Sequence, residues 1–188
     1  MRRFAFAALA AALLGGCQST RSTSTPPVAA AFDAAEAAFI KKQGTTKIEG
    51  HAFWRDEKGG TVNAAGEIVR LVPVTAYSRA RFAVLYRGQR SIPAGQVEQA
   101  PADPQYAEYT RTTRAGAKGR FEFEDVAPGE YFVAAQVRYQ DKDTYVHLQA
   151  GAFHRFMRMG SDGGAMFETV KVTGKEEKAI KLVLTNDR

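Results

Sequence analysis

Residues 119–139, GRFEFEDVAPGEYFVAAQVRY, alternate in polarity, break at a Pro-Gly pair and alternate again. A period of two puts successive side chains on opposite faces of an extended chain, so this stretch is restricted to two strands meeting at a corner. In the first arm Phe121 and Phe123 share a face. In the second, Tyr131, Val133, Ala135, Val137 and Tyr139 share one face, and Phe132, Ala134, Gln136 and Arg138 the other. That is the pattern of a half-buried strand.

The same period recurs along the chain. TYVHLQAGAF puts Val146, Leu148, Ala150 and Ala152 on one side, and KAIKLVLT does so with Ile180, Leu182 and Leu184. Turn signals separate the runs: Lys58-Gly59-Gly60, Ala65-Gly66, Pro128-Gly129, Asp141-Lys142-Asp143, Ser161-Asp162-Gly163-Gly164 and Gly174-Lys175. Short strands punctuated by Gly and Pro predict a mainly β protein, an antiparallel sandwich over residues 45–188. Residues 88–118 break the rhythm. They are polar, carry Pro93, Pro101 and Pro104, and read as a long insert between strands. Ahead of the strands, residues 28–44 read as a short helix. Val28, Phe32, Ala35 and Phe39 recur at helical spacing, with Thr25 as cap, Pro26 and Pro27 near the first turn and Gly44 at the end. Lys41 and Lys42 suit the negative end of its dipole. The stripe packs on the domain or, alternatively, touches a membrane surface.

The N-terminus, MRRFAFAALAAALLGGCQST, has two arginines before an apolar run from Phe4 to Leu14. A spanning helix needs about 20 apolar residues, so residues 1–16 are read as a signal peptide. Leu14-Gly15-Gly16-Cys17 resembles the lipobox of bacterial lipoproteins, which implies lipidation of Cys17 and a lipid-anchored protein. Gln18, where Asp would mark retention, implies the outer membrane, with the domain facing the periplasm. Residues 18–27, Ser/Thr-rich and ending in Pro-Pro, form a flexible tether. Cys17 is the single cysteine, which excludes an intramolecular disulfide and a zinc–thiolate cluster. Loss of residues 1–16 removes two arginines and no acid, so the net charge falls from +6 to +4. Such a balance suits anionic headgroups or glycans and falls short of a nucleic-acid binder.

Gly119-Arg120-Phe121-Glu122-Phe123-Glu124-Asp125-Val126-Ala127-Pro128-Gly129-Glu130-Tyr131 resembles the G-x-F-x-F-x-x-V/L-x-P-G-x-Y signature of carboxypeptidase regulatory-like domains. The resemblance implies a transthyretin-like (prealbumin-like) Greek-key sandwich. KIEGHAFW (47–54) resembles the family's first strand and GEIVRLVPVTAY (66–77) its second. ETVKVTGKEEKAIKLVL (168–184) resembles a closing pair joined by a turn. For function the resemblance implies little beyond a non-catalytic companion domain. The H-x-x-E zinc signature follows none of His51, His147 or His154. Tyr86-Arg87-Gly88-Gln89 departs from the Tyr-Arg-Gly-Ser ending of the transthyretin-like hydrolases.

Candidate chemistry is thin. No G-x-S-x-G, P-loop or H-E-x-x-H motif occurs, and no enzyme activity, metal or cofactor is expected. His147 and His154, seven apart, would face opposite sides of one unbroken strand. Asp141, Asp143 and Asp162 read as turn residues before calcium ligands. His154, Met157, Met159 and Met166 suit Cu(I) or, more simply, core packing. The strongest signal is basic. In SRARFAVLYRGQR, read as a strand, Phe82, Val84 and Tyr86 form one face, with Arg79, Arg81 and Arg87 opposite. Arg90, Tyr106, Tyr109, Arg111 and Arg114 follow. Arginine forks among tyrosines suit carboxylate, phosphate or sugar recognition; the plainer reading is a solvated face whose charges keep strand edges from pairing. The function expected is a docking domain for an envelope protein, with glycan or anionic-ligand binding as the alternative.

Overall fold

The computed structural model describes residues 28–97, 100–149 and 152–187. The predicted signal peptide, Cys17 and the tether lie outside them. The expected sandwich is present, with two sheets. In the first, β1 (Thr46–Arg55) is the central strand. It pairs antiparallel with β2 (Thr61–Asn63) and with β6 (Arg120–Val126), and parallel with β9 (Ile180–Leu184). The second runs β4-β8-β7-β3-β5, built from β3 (Ile68–Pro73), β4 (Ser91–Pro93), β5 (Arg111–Arg114), β7 (Gly129–Gln149) and β8 (Ala152–Val172). The last two strands of the chain are therefore not the adjacent pair expected. β8 belongs to the second sheet, and the chain then crosses to lie beside β1 in the first. Glu176 pins this crossover. Its carboxylate accepts from the Thr173 hydroxyl at 2.7 Å, from the Thr173 and Gly174 N–H groups at 2.7 and 2.9 Å, and from the Thr46 hydroxyl at 2.7 Å. These bonds hold its pKa down at about 2.

Apolar faces of both sheets meet in the core. Ile48, Phe121 and Phe123 come from one sheet, Leu71, Tyr131 and Val133 from the other, each 5% exposed or less. The Pro-Gly corner has a specific reason for its glycine. A Cβ on Gly129 would stand 2.3 Å from the ring of Phe39, which packs on Tyr131 at 5.2 Å between centroids. Phe39 belongs to the N-terminal segment, where the expected helix shrinks to α1 (Ala34–Ala37) and a 3-10 turn over Ala38–Lys41. Its cap is Asp33, whose carboxylate accepts from the Ala35 N–H at 2.8 Å.

Residues 78–90, expected as a strand, instead lie mostly within α2 (Ala76–Tyr86), the main departure from expectation. Thr75 and Ser78 make a reciprocal capping box: the Ser78 N–H donates to Thr75 Oγ1 at 3.1 Å, and the Thr75 N–H to Ser78 Oγ at 2.8 Å. Tyr77, Ser78, Phe82 and Tyr86 are the buried positions, at helical spacing. α2 lies on the outer face of the second sheet, where Phe82 stacks on Phe132 at 4.4 Å and meets Phe167 edge-on at 4.9 Å. β7 is consequently buried on both faces as far as Ala135, not on one.

Residues 88–118 are more than an insert. They supply both edge strands of the second sheet, β4 and β5, with 3-10 turns over Ala94–Gln96 and Pro104–Tyr109 between. Another departure concerns residues 138–163. The predicted turns at 141–143 and 161–164 are absent, because β7 and β8 stay paired in one unbroken register from Gly129↔Val172 to Gln149↔Ala152. β3 leaves β7 at Ala135 and β4 leaves β8 at Gly164. Past that point a two-stranded ribbon continues for about 40 Å, with no third strand among the described residues.

Candidate functional site

The predicted arginine surface is brought only partly together, and most of it is spent on holding the fold. Arg79 donates to Glu130 at 2.6 Å. Arg81 donates to the Ala100 and Pro101 carbonyls at 2.6 and 3.0 Å and lies 5.4 Å from the Tyr106 ring centre. Arg90 pairs with Glu168 at 3.0 Å. Arg111 donates to the Glu124 and Asp125 carbonyls at 2.5 and 3.3 Å, tying β5 to the first sheet. Arg87 is the left-handed C-cap of α2, with φ of 51°. Tyr106 and Tyr109 sit in an aromatic cluster with Phe32 and Tyr77. Burial pushes the Tyr106 phenol up to about 12, against the opposing field of Arg81. These tyrosines anchor the N-terminal segment to the 104–109 turn, so their rings are occupied. Of the predicted set, Arg114 keeps most of its donors, with one bonded to the Gly66 carbonyl.

α2 covers only half of the sheet face beneath it. Cross-strand partners share a face, so the register defines what the other half presents. Arg70 on β3 pairs with Thr112 on β5 and with Ala134 on β7; Ile68 pairs with Arg114. Gln136 and Arg138 follow Ala134 on the same face of β7, opposite Ala165 and Gly163 of β8. Arg70, Thr112, Arg114 and Arg138 are exposed, and Gln136 and Ile68 are half-buried. The result is a strip across three strands: arginines at its margins, an amide and a hydroxyl among them, and an apolar patch at Ile68. Arg70 lies close enough to Tyr86 and Tyr106 for its charge to oppose the rise that burial causes in both phenols. No ion pair engages Arg70, Arg114 or Arg138 among the described residues.

Alternation in residues 131–139 already puts Gln136 and Arg138 on one face. What sequence reading missed was the neighbour, Arg70, a lone charge in the apolar run IVRLVPV. The strip becomes visible only when β3, β5 and β7 are set in register.

The outer face of the first sheet differs. A cleft of about 1010 Å³ runs between this sheet and the second, lined by Glu49, Glu122 and Lys181 of the first and by Arg114, Glu168 and Lys171 of the second. The charges of the first sheet largely cancel. Lys47 reaches Glu122 at 2.8 Å and Glu49 and Glu124 at 3.5 Å, Lys181 pairs with Glu49, and Arg55 with Asp187 at 2.5 Å. His51 Nε2 lies 2.9 Å from Asn63 Oδ1. The pairs pull the Glu49 carboxyl below its ordinary range and hold the Lys47 ammonium above its own.

His147 and His154 lie not on one unbroken strand but on two, directly paired in the β7–β8 register. Met166 is a core residue, 1% exposed, in line with packing. Among the described residues no group of three or more His, Cys, Asp or Glu is placed to hold a metal, and no helix is long and apolar enough to cross a membrane.

No family model and no curated protein matches this chain. Among solved structures it is similar to the crystal structure of a putative carbohydrate binding protein from Pseudomonas aeruginosa. The TM-score is 0.62 with 23% identity, over 82% of this chain and 97% of that one. At that identity the likeness is one of fold.

Proposed function

We propose that this chain is a non-enzymatic binding module of the bacterial cell envelope that holds carbohydrate on the half of the β5-β3-β7 face left open by α2. One observation carries the reading: the strip of Arg70, Thr112, Arg114, Gln136 and Arg138 is exposed or half-exposed and its polar groups are largely unspent within the fold. Amide, hydroxyl and guanidinium groups around an apolar patch match a sugar, which offers hydroxyls at its rim and C–H groups on its face. The fold shared with a putative carbohydrate binding protein supports the ligand class. Affinity electrophoresis against a panel of immobilised polysaccharides tests it. Retardation by at least one polysaccharide, abolished in Gln136→Ala/Arg138→Ala, is expected; no retardation by any refutes it.

Localisation is part of the proposal. Lipid on Cys17 would hold the domain at the outer membrane, facing the periplasm, through the 18–27 tether. Labelling of cells with a radioactive fatty acid should mark the protein, and Cys17→Ser should abolish the mark.

Docking of an envelope protein is a second reading, favoured by the ribbon. Two strands running on beyond their sheet leave backbone N–H and C=O groups on both edges, the chemistry by which a partner strand adds to a sheet. Crosslinking in intact cells tests it: a single protein partner, lost when residues 140–161 are removed, would establish docking.

A further inference from the structure

We infer that the carbohydrate bound on the open face is acidic, a glycan bearing carboxylate or phosphate groups, and that Arg70, Arg114 and Arg138 recognise its charge. The inference rests on the reading of this face as the carbohydrate site and names its ligand class. Three guanidiniums stand on three adjacent strands of one face. Strand spacing and rise per residue set their Cα atoms roughly 8–14 Å apart, too far to share a single carboxylate and suited to successive charged units of a polymer.

The contrast with other arginines of the chain makes the case. Arg55, Arg79 and Arg90 each rest on a carboxylate, whereas Arg81 and Arg111 donate to backbone carbonyls. Arg114 gives one donor to the Gly66 carbonyl and retains the rest. Arg70 and Arg138 make no hydrogen bond or ion pair among the described residues. Neighbours of the trio on the face are Thr112, Ile68, Gln136, Ala165 and Gly163, none of them acidic. None of the three is held in an ion pair among the described residues, and Arg114 also borders the cleft that contains Glu122 and Glu168; an anionic ligand on the face supplies a counter-charge that the fold does not. Guanidinium forks bind planar oxyanions through two parallel hydrogen bonds, which lysine cannot reproduce. Gln136 and Thr112 add donors and acceptors for ring hydroxyls between the charges.

The test uses purified full-length protein in calorimetric titrations with polygalacturonate, long-chain polyphosphate and neutral dextran at low and moderate salt. Polygalacturonate is expected to bind, more weakly as salt screens the charges. Arg70→Gln/Arg138→Gln should weaken binding at least tenfold with an unchanged melting temperature, and Arg70→Lys/Arg138→Lys should restore only part of the loss. Arg79→Gln, which removes a guanidinium already held by Glu130, should bind as wild type. Polyphosphate binding in place of polygalacturonate, with the same loss in the double variant, would assign the recognised anion to phosphate. Dextran binding as tightly as polygalacturonate, insensitive to the arginine variants, would overturn the acidic ligand and leave carbohydrate binding intact. Failure of all three polymers to bind would overturn both.

Discussion

The two sheets of this sandwich turn very different outer faces to the surroundings. On the first, Lys47, Glu49, Glu122, Glu124 and Lys181 form a closed ladder in which each charge meets its opposite. On the second, α2 converts half the face into a second core around Phe82, Phe132 and Phe167, and the remaining half keeps arginines without carboxylates. The first pattern makes a soluble surface and weakly stabilises it, since exposed ion pairs contribute little. The second retains charge that the fold itself does not use. On the proposed reading, what separates a solvated face from a binding face is the neutralisation of its charges, not their number.

Removing the cover of α2 should break the comparison most severely. Phe82→Ala deletes the ring stacked between Phe132, Tyr86 and Phe167 and should cost about 3–5 kcal/mol, read from chemical denaturation. Acid attacks the join between the sheets instead. The folded pKa of Glu176, about 2, lies below the ordinary 4.5, so its contribution is full above that ordinary value and is lost as pH falls toward 2. Urea midpoints of the wild type should fall below pH 4.5, whereas Glu176→Gln should be less stable at pH 6 and flatter in acid. Smaller again is Arg81→Gln, which frees the Ala100 and Pro101 carbonyls and should cost about 1–2 kcal/mol. Least of all, Arg70→Gln and Arg138→Gln should change stability by no more than about 0.5 kcal/mol, because nothing in the fold depends on them. An arginine of the open strip that proved as costly to lose as Arg81 would erase the distinction.

Much of this architecture was legible in the chain. Alternation located β6, β7 and β9, the stretch KIEGHAFW set apart by resemblance fell on β1, and the Pro-Gly corner fell where expected. α2 was not legible, because Phe82, Val84 and Tyr86 satisfy a period of two as readily as Phe82, Leu85 and Tyr86 satisfy a helical one. The Thr75–Ser78 capping box was the signal that would have decided it. Nor was the ribbon, since glycines and aspartates that mark turns elsewhere sit within paired strands here. Of the arginines singled out in the sequence, Arg79, Arg81, Arg90 and Arg111 are engaged within the fold, whereas Arg114 keeps most of its donors. Sequence shows how many charges a stretch carries, but the carbonyls and carboxylates that consume them come from distant strands, as Glu130 does for Arg79.

The most direct measurement of the central claim is a backbone amide NMR titration of the labelled domain with a polygalacturonate oligomer. The account predicts saturable shifts confined to Ile68–Arg70, Thr112–Arg114 and Gln136–Arg138, with the amides of β1 and β9 unmoved. Shifts that map instead to the charge ladder of the first sheet, or to Arg79 and Arg90, would contradict it.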